Sequence, residues 1–336
     1  MKMTHTYRSR ARHVKKPRRR LLLASLLGVL LLLFCGYNII PFHKDTPTLS
    51  VGTNPSRTPL AKNVQLAWPA VGQAAVGSVE DGFLAHSSDT EALRPIASMA
   101  KVIAALAIMK KQPLESEQAS PSYVLTAKDV TNYHTYVSEG GSVLPVYEGM
   151  VLTQYQAMQA MLIPSANNIA KMLTERVFGS EEAYVSYARD MLRHMGCSRT
   201  VVADASGFSP ATVSTPSELV TIGIAALKNP VIAEIVDQSQ AQIPGVGIVK
   251  NTNELLGTDG VVGIKTGTTG SAGSCLLFAA RYTTEKGQEV TLIGVIMDDA
   301  DATSLFSDSK NLLESAKQSF GLVETQPEGD AVIRRD

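Results

Sequence analysis

The chain has 336 residues, 44% hydrophobic and 18% charged, with 31 basic residues balanced by 31 acidic ones. That composition builds a substantial core and excludes a disordered chain, and at roughly 150 residues per domain it allows either two domains or one larger one. The neutral total hides an uneven distribution: Lys2, Arg8, Arg10, Arg12, Lys15, Lys16, Arg18, Arg19 and Arg20 crowd the first twenty residues without an acidic partner.

Leu21 to Ile40 follows with no charge at all. A helix of about twenty residues spans roughly 30 Å, the hydrocarbon thickness of a bilayer. The basic flank of such a span stays in the cytoplasm by the positive-inside rule, which places everything after about residue 41 outside the membrane. The adjoining apolar segment also argues against a nucleic-acid patch at 1–20. The span is long for a signal peptide, and no Ala-x-Ala site follows it. Phe34 is bulky where a lipoprotein site before Cys35 wants a small residue, so an uncleaved anchor is expected. Residues 41–63, with Pro41, Pro47, Pro55 and Pro59, read as a linker.

Beyond it, Val64 to Trp68, Gln73 to Val79 and Gly82 to His86 have the pattern of strands. Ser98 to Lys111 is a buried-helix pattern rich in Ala and Leu, stopped by Pro113. From about 122 to 235 the pattern is mainly helical. Thr153 caps Gln154 to Leu162, a second helix follows Ser165, a third spans Glu181 to Met195, and a fourth follows Ser214-Thr215-Pro216. After 240 the period changes to that of strands, at Ile248 to Asn251, Val261 to Thr266, Gly273 to Tyr282 and Glu289 to Met297, the last three forming an antiparallel meander. Asp301 to Phe320 is a closing helix. The expected fold class is therefore α/β (α+β): one antiparallel sheet from both chain ends, an inserted helical lobe, and a cleft between them. Cys35 falls in the apolar span, so only Cys197 and Cys275 are left to pair outside it. They lack metal-ligand spacing, and the expectation is a buried small hydrophobe at each, with no metal.

Three short motifs occur in order: Ser98-Met99-Ala100-Lys101, Ser165-Ala166-Asn167 and Lys265-Thr266-Gly267-Thr268. Each alone is weak, since average residue usage yields about one Ser-x-x-Lys in a chain of this size. Ser307-Asp308-Ser309-Lys310 is indeed a second match; it lies among Asp299, Asp301 and Asp308, which keep Lys310 charged, and reads as a solvated face. The first match differs in context. Ser98 starts an apolar helix and Lys101 lies one turn along on the same face, where Ile96, Met99, Val102 and Ile103 can bury it and lower its basicity enough to act as a base. Ser165 follows Pro164 at a helix start, where the bland role is a cap; Lys265 ends a strand, Val261 to Ile264, loosened by Gly267 and Gly270.

The motifs, their order and their separations resemble the penicillin-binding protein and serine β-lactamase superfamily, and most closely its low-molecular-weight D-alanyl-D-alanine carboxypeptidases. The likeness runs over about residues 64–320. It is carried by Pro95 to Lys101, Gly140 to Val146, Glu148-Gly149, Leu152-Thr153, Met161 to Asn168, Asp204 to Ser209, Ser214 to Pro216, Asn251 to Asn253 and Asp259 to Gly267. It implies a β-lactamase/transpeptidase-like fold at 64–322, ahead of a polar tail at 323–336, and a serine D,D-carboxypeptidase acting on peptidoglycan stem peptides ending in D-Ala-D-Ala, with a role in the cell wall and cell shape. On that likeness Ser98 would be the nucleophile, Lys101 its base and Ser165 the proton relay to the leaving amine. Asn167 would hold Lys101 and the substrate amide, and Lys265, Thr266, Gly267 and Thr268 would bind the substrate. The N–H groups of Ser98 and Thr268 would form the oxyanion hole. No cofactor is implied; β-lactams would be covalent inhibitors, and the place of action would be the outer side of a single-pass cell-membrane anchor, with no nucleic-acid partner.

Two departures stand out, of which the first should matter little and the second keeps alternatives open. Position 100 is Ala where the family usually has Thr, and the last strand is followed by Asp298-Asp299-Ala300-Asp301 where many relatives place an arginine for the terminal carboxylate. A D,D-endopeptidase that cleaves crosslinks is one alternative. A β-lactamase is another, although the chain contains no Glu-x-x-x-Asn to activate a deacylating water. A non-catalytic peptidoglycan-binding module is the third.

Overall fold

The computed structural model describes residues 58–324, apart from 63, 89–91, 116, 118 and 119. The basic segment 1–20, the apolar span 21–40, the linker up to 57 and the tail beyond 324 lie outside the described residues. Among the described residues no single helix is long and apolar enough to cross a membrane.

The elements in chain order begin with the hairpin β1 (Gln73–Ser78) and β2 (Gly82–His86), the short β3 (Arg94–Pro95), and a 3-10 turn at Ala97–Met99 that runs into α1 (Ala100–Lys111). Then come β4 (Ser122–Val124), α2 (Ala127–Ser138), β5 (Val151–Thr153), α3 (Gln154–Leu162), α4 (Asn167–Phe178), α5 (Glu181–His194) and β6 (Val213–Ser214). The helices α6 (Pro216–Leu227) and α7 (Pro230–Val236) precede the hairpin β7 (Gln240–Ile243) and β8 (Gly247–Lys250). The chain returns to the sheet with β9 (Val261–Thr269), β10 (Gly273–Thr284) and β11 (Glu289–Asp299), and ends in α8 (Ala302–Ser319) and β12 (Leu322–Glu324).

The main sheet is antiparallel in the order β12-β10-β11-β1-β2. β9 lies along Gly273 to Ala280 of β10, on the edge that β12 continues at Tyr282 to Thr284. Strands from both chain ends thus make one sheet, with the helical segment inserted between them, as the sequence predicts. Side chains alternate across it with the period of two that a pleated strand imposes. Cys275, Leu277 and Ala279 of β10 face the larger core, which is built with the helical lobe. Leu276, Phe278, Ala280 and Tyr282 face a second core under α8.

α1 is the axis of the larger core. It packs against α3, α4, α5 and α6, and every residue from Ala100 to Ala105 is buried. A helix that is apolar all round belongs inside, and its alanines let four neighbours approach closely. Each buried Val, Ile or Met side chain contributes roughly 1.5–3 kcal/mol, so the turn carrying Ser98 is anchored to the centre of the larger core.

Several expectations need correction. Val64 to Trp68 is not a strand. Leu66 does point into the second core, but the Ala67 N–H donates to Ser315 Oγ of α8 at 2.9 Å, so a helix side chain answers the backbone instead of a neighbouring strand. The end of the linker is docked, since Leu60 is buried in the same core. At the other end, Val323 and Glu324 extend β12 on β10 rather than starting the polar tail. The helical stretch also contains a strand pair, β4 with β5, and the strand predicted at Ile248 to Asn251 is Gly247–Lys250, half of a hairpin with β7. Cys197 and Cys275 are both free and buried, and burial pushes each thiol up to about 12, which keeps them unreactive.

Candidate active site

The 3-10 turn before α1 brings Ser98 and Lys101 onto one face. Lys101 is completely buried, and its Nζ lies 2.8 Å from Ser98 Oγ, 2.7 Å from Asn167 Oδ1 and 3.0 Å from the Ser206 carbonyl oxygen. The first cause lowering its pKa well below the ordinary lysine value is burial, and the second is the charge of Lys265; Asp204 opposes both. A neutral amine has two N–H donors and one lone pair. The Asn167 and Ser206 oxygens take the donors, which leaves the lone pair for the Ser98 hydroxyl proton.

Asn167 reaches this point because it begins α4, directly after a turn in which Ser165 adopts a left-handed φ of 68°. Its own N–H donates to the Ser142 carbonyl at 2.8 Å, and the next residue, Asn168, exchanges two hydrogen bonds with the Leu144 backbone. These bonds hold the loop from Glu139 to Val146 against the head of α4. Ser165 is buried at the same turn.

Lys265 comes from β9 on the other side. It is 1% exposed, and its Nζ has no hydrogen-bond partner among the described residues. Desolvation lowers its pKa to about 7. Thr266, next along, shares a 2.6 Å hydrogen bond with Thr252. Gly267 is glycine for a reason of space: a Cβ there would meet the Ser98 backbone nitrogen at 2.9 Å and the Ile96 carbonyl oxygen at 3.1 Å. β9 can therefore lie against the turn bearing Ser98 only without a side chain at this position. Gly207 also meets this turn, with a φ of 73° and a Cβ position 1.8 Å from the Ala97 carbonyl oxygen.

A cavity of about 330 Å³ opens over these groups. Ser98, Asn167 and Thr268 line it, together with the loop Glu139 to Ser142, Gly207-Phe208 and the turn Thr269 to Ser271. The structure thus gathers Ser98, Lys101, Asn167, Lys265, Gly267 and Thr268 at one place. Ser98, Asn167 and Thr268 face the open space, and the two lysines lie beneath it. The second Ser-x-x-Lys match lies elsewhere, on α8, with Ser307 and Lys310 exposed.

Sequence reasoning gave no role to the Ser206 carbonyl, which is backbone and leaves no mark on residue identity. It also assigned no role to Asp204, whose Oδ2 accepts from Ser206 N, Ser206 Oγ and Phe208 N and whose Oδ1 accepts from Thr212 Oγ1. That network sets the loop bearing the carbonyl; the sequence marked Asp204 to Ser209 only as part of the family likeness, with no role for the carboxylate. The end of β11 holds a further surprise: Arg94 of β3 lies beside it, with Nη1 3.5 Å from Asp298 Oδ2.

Similar proteins share this architecture. The Streptomyces K15 DD-transpeptidase superposes with a TM-score of 0.65 at 21% identity, covering 77% of this chain and 100% of its own. A D-alanyl-D-alanine carboxypeptidase from Mycobacterium tuberculosis superposes with a TM-score of 0.63 at 24% identity, covering 81% of this chain and 96% of its own. At these identities the likeness is one of fold. In sequence, a D-alanyl-D-alanine carboxypeptidase of M. tuberculosis is 27% identical over 212 residues, 61% of this chain and 68% of the relative. A D-alanyl-D-alanine endopeptidase of Escherichia coli is 24% identical over 255 residues, 72% of this chain and 76% of the relative. The model of peptidase family S11, D-alanyl-D-alanine carboxypeptidase, matches residues 77–301, and the chain belongs to that family.

Proposed function

We propose that the chain is a serine D,D-carboxypeptidase that removes the terminal D-Ala from peptidoglycan stem peptides through an acyl-enzyme on Ser98. The observation that carries this reading is the buried Lys101 amine, 2.8 Å from Ser98 Oγ, with its other two contacts made to acceptors. Ser98 Oγ attacks the carbonyl carbon of the penultimate D-Ala, and its proton passes to Lys101 Nζ. The N–H groups of Ser98 and Thr268 stabilise the oxyanion. The C–N bond breaks as Ser165 passes a proton to the leaving amine of D-Ala and is resupplied with the proton held by Lys101, which returns to its neutral form. Water then attacks the ester, the stem peptide leaves as the free acid, and Ser98 regains its proton. Asn167 orients Lys101 and the substrate amide, while Lys265, Thr266 and Thr268, on the strand that Gly267 lets approach, receive the terminal carboxylate. The same attack on a β-lactam gives an acyl-enzyme that leaves slowly.

A second reading, D,D-endopeptidase, is favoured by one local feature. The end of β11 presents Asp298 and Asp299, and Arg94, the cation beside it, is paired with Asp298. The basic segment 1–20 and the apolar span 21–40 further support a single-pass anchor that leaves the catalytic domain on the outer side of the cell membrane.

Mass spectrometry of protein treated with penicillin tests the chemistry: the adduct is expected on Ser98 and is absent in Ser98→Ala. D-Ala release from a linear pentapeptide, measured beside cleavage of a crosslinked dimer, separates the two readings. Faster cleavage of the dimer would displace the carboxypeptidase, and a folded protein that never labels would leave only a binding module.

A further inference from the structure

At the far end of α1 from Ser98, a groove of about 370 Å³ opens where the last turns of α1, α5 and α6 come together. Its floor is made by Leu106 and Met109 of α1, Met191 of α5 and Met195 just after that helix. Lys110 and Lys228 stand at its rim, both exposed, and no acidic residue lines it. Neither lysine has an ion pair or a side-chain hydrogen bond among the described residues. The ordinary reason for a lysine at such a place is the partial negative charge of a helix C-terminus, and Lys110 does lie in the last turn of α1. That end carries only about half an elementary charge, so it cannot neutralise a full one. The groove keeps a positive rim over an apolar floor.

The relief of the surface narrows what can cover it. Met109 and Met191 are each 5% exposed, so the apolar atoms are recessed while the cations protrude. A flat bilayer cannot reach such a floor; a partner has to insert side chains into it. Unbranched thioethers re-pack around what enters, which suits leucine-like anchors. An amphipathic helix presents anchors of that kind at i, i+3, i+4 and i+7, and acidic residues flanking them meet the two lysines. We propose that this groove docks an acidic amphipathic helix of a partner protein. Lys110 lies twelve residues beyond Ser98, roughly 18 Å along α1, so the docked helix leaves the cleft open to substrate. The docking does not depend on the reaction at Ser98.

The test uses the full chain in nanodiscs of neutral lipid, with its methionine methyl groups isotope-labelled. The probe is a synthetic helix with leucines at i, i+3, i+4 and i+7 and glutamates flanking them. Its control carries glutamine in place of every glutamate, which keeps the helix propensity. The glutamate peptide is expected to shift the methyl resonances of Met109, Met191 and Met195. It should bind about fivefold tighter than the control, the combined effect of two solvent-screened ion pairs, with the gap shrinking at high salt. Lys110→Gln/Lys228→Gln should erase the gap, and an unchanged thermal midpoint reports that this variant remains folded. Equal affinities in the wild type, a gap that survives the double substitution, no binding up to about 1 mM, or shifts at other methionines instead would overturn the docking site. So would self-association that the double substitution abolishes, which makes a second copy of the chain the occupant. The same three methyl shifts produced by anionic lipid without peptide would overturn it as well, in favour of a lipid.

Discussion

Two buried lysines approach one cavity from two halves of the fold, and they are held in opposite ways. Lys101 comes from α1, the helix at the centre of the larger core, and has three oxygen contacts. Lys265 comes from β9, at the sheet edge, and its Nζ has none among the described residues. Burial lowers the pKa of both, so burial does not distinguish them. The partners do. An amine whose hydrogens are already placed is prepared to take up one proton from one direction; a bare amine whose pKa lies about 7 is prepared to become a cation when an anion arrives. The first suits a base and the second a carboxylate receptor.

Replacing each lysine by methionine, similar in length and apolar, tests this difference at its largest. Lys101→Met removes the proposed base, and the rate constant for acylation of Ser98 by penicillin is expected to fall about 10³-fold, within the range for general-base groups. Lys265→Met leaves the base in place and should cost about 10²-fold, expressed mainly as weaker binding of the anionic end of the ligand. Stopped-flow acylation over a range of penicillin concentrations separates the two effects. If Lys265→Met slows the saturated rate as much as Lys101→Met does, the proposed division of labour is wrong.

The same contrast has a consequence for stability. In the unfolded chain Lys265 titrates at the ordinary 10.5; in the native protein it titrates at about 7. Between those values the unfolded state binds the extra proton, so stability rises with pH across that window, and the full cost of burying the lysine is present below pH 7. At about 1.4 kcal/mol per pH unit, Lys265→Met should be more stable than wild type at pH 6, by a margin about 2–3 kcal/mol larger than at pH 9. Urea unfolding at the two pH values measures this. A margin independent of pH would mean that Lys265 is not held neutral by its surroundings, and its assignment as an anion receptor would lose its basis.

The legibility of these features in the sequence followed how local their causes are. Thr153, Thr215 and Asp301 cap their helices with side-chain hydrogen bonds to residues three further on, so these starts could be read from a few letters. α2 carries a capping box too, Thr126 with Asp129, but Asp129 is its only buried residue, and the apolar periodicity that reveals a helix is faint there. Val64 to Trp68 failed in the opposite way: the alternation was real, but a strand needs a neighbour, and whether one exists is decided by residues far away in the chain. In the site, Ser98, Lys101 and Asn167 were legible because side-chain chemistry carries their signal. The Ser206 carbonyl was not, since any residue supplies a carbonyl and only the Asp204 network reveals why this one is fixed.

Asp204 also offers the finest test, because it acts on Lys101 in two ways that have separable signs. Through its hydrogen bonds it positions the Ser206 carbonyl that accepts from Lys101. Through its charge it raises the Lys101 pKa against burial and Lys265. Asp204→Asn keeps the shape and one acceptor oxygen while removing the charge. The lost bond quality should cost roughly 1 kcal/mol, about fivefold in the plateau acylation rate. With the carboxylate gone, the Lys101 pKa falls further, so the acidic limb of the acylation rate, where Lys101 must shed its proton, should move to lower pH. A structural defect alone lowers the plateau and leaves the limb in place. A limb that moved to higher pH would show that Asp204 had been helping to keep Lys101 neutral. The neutrality of the base would then depend on the loop around Ser206 rather than on burial against α1 and repulsion from Lys265.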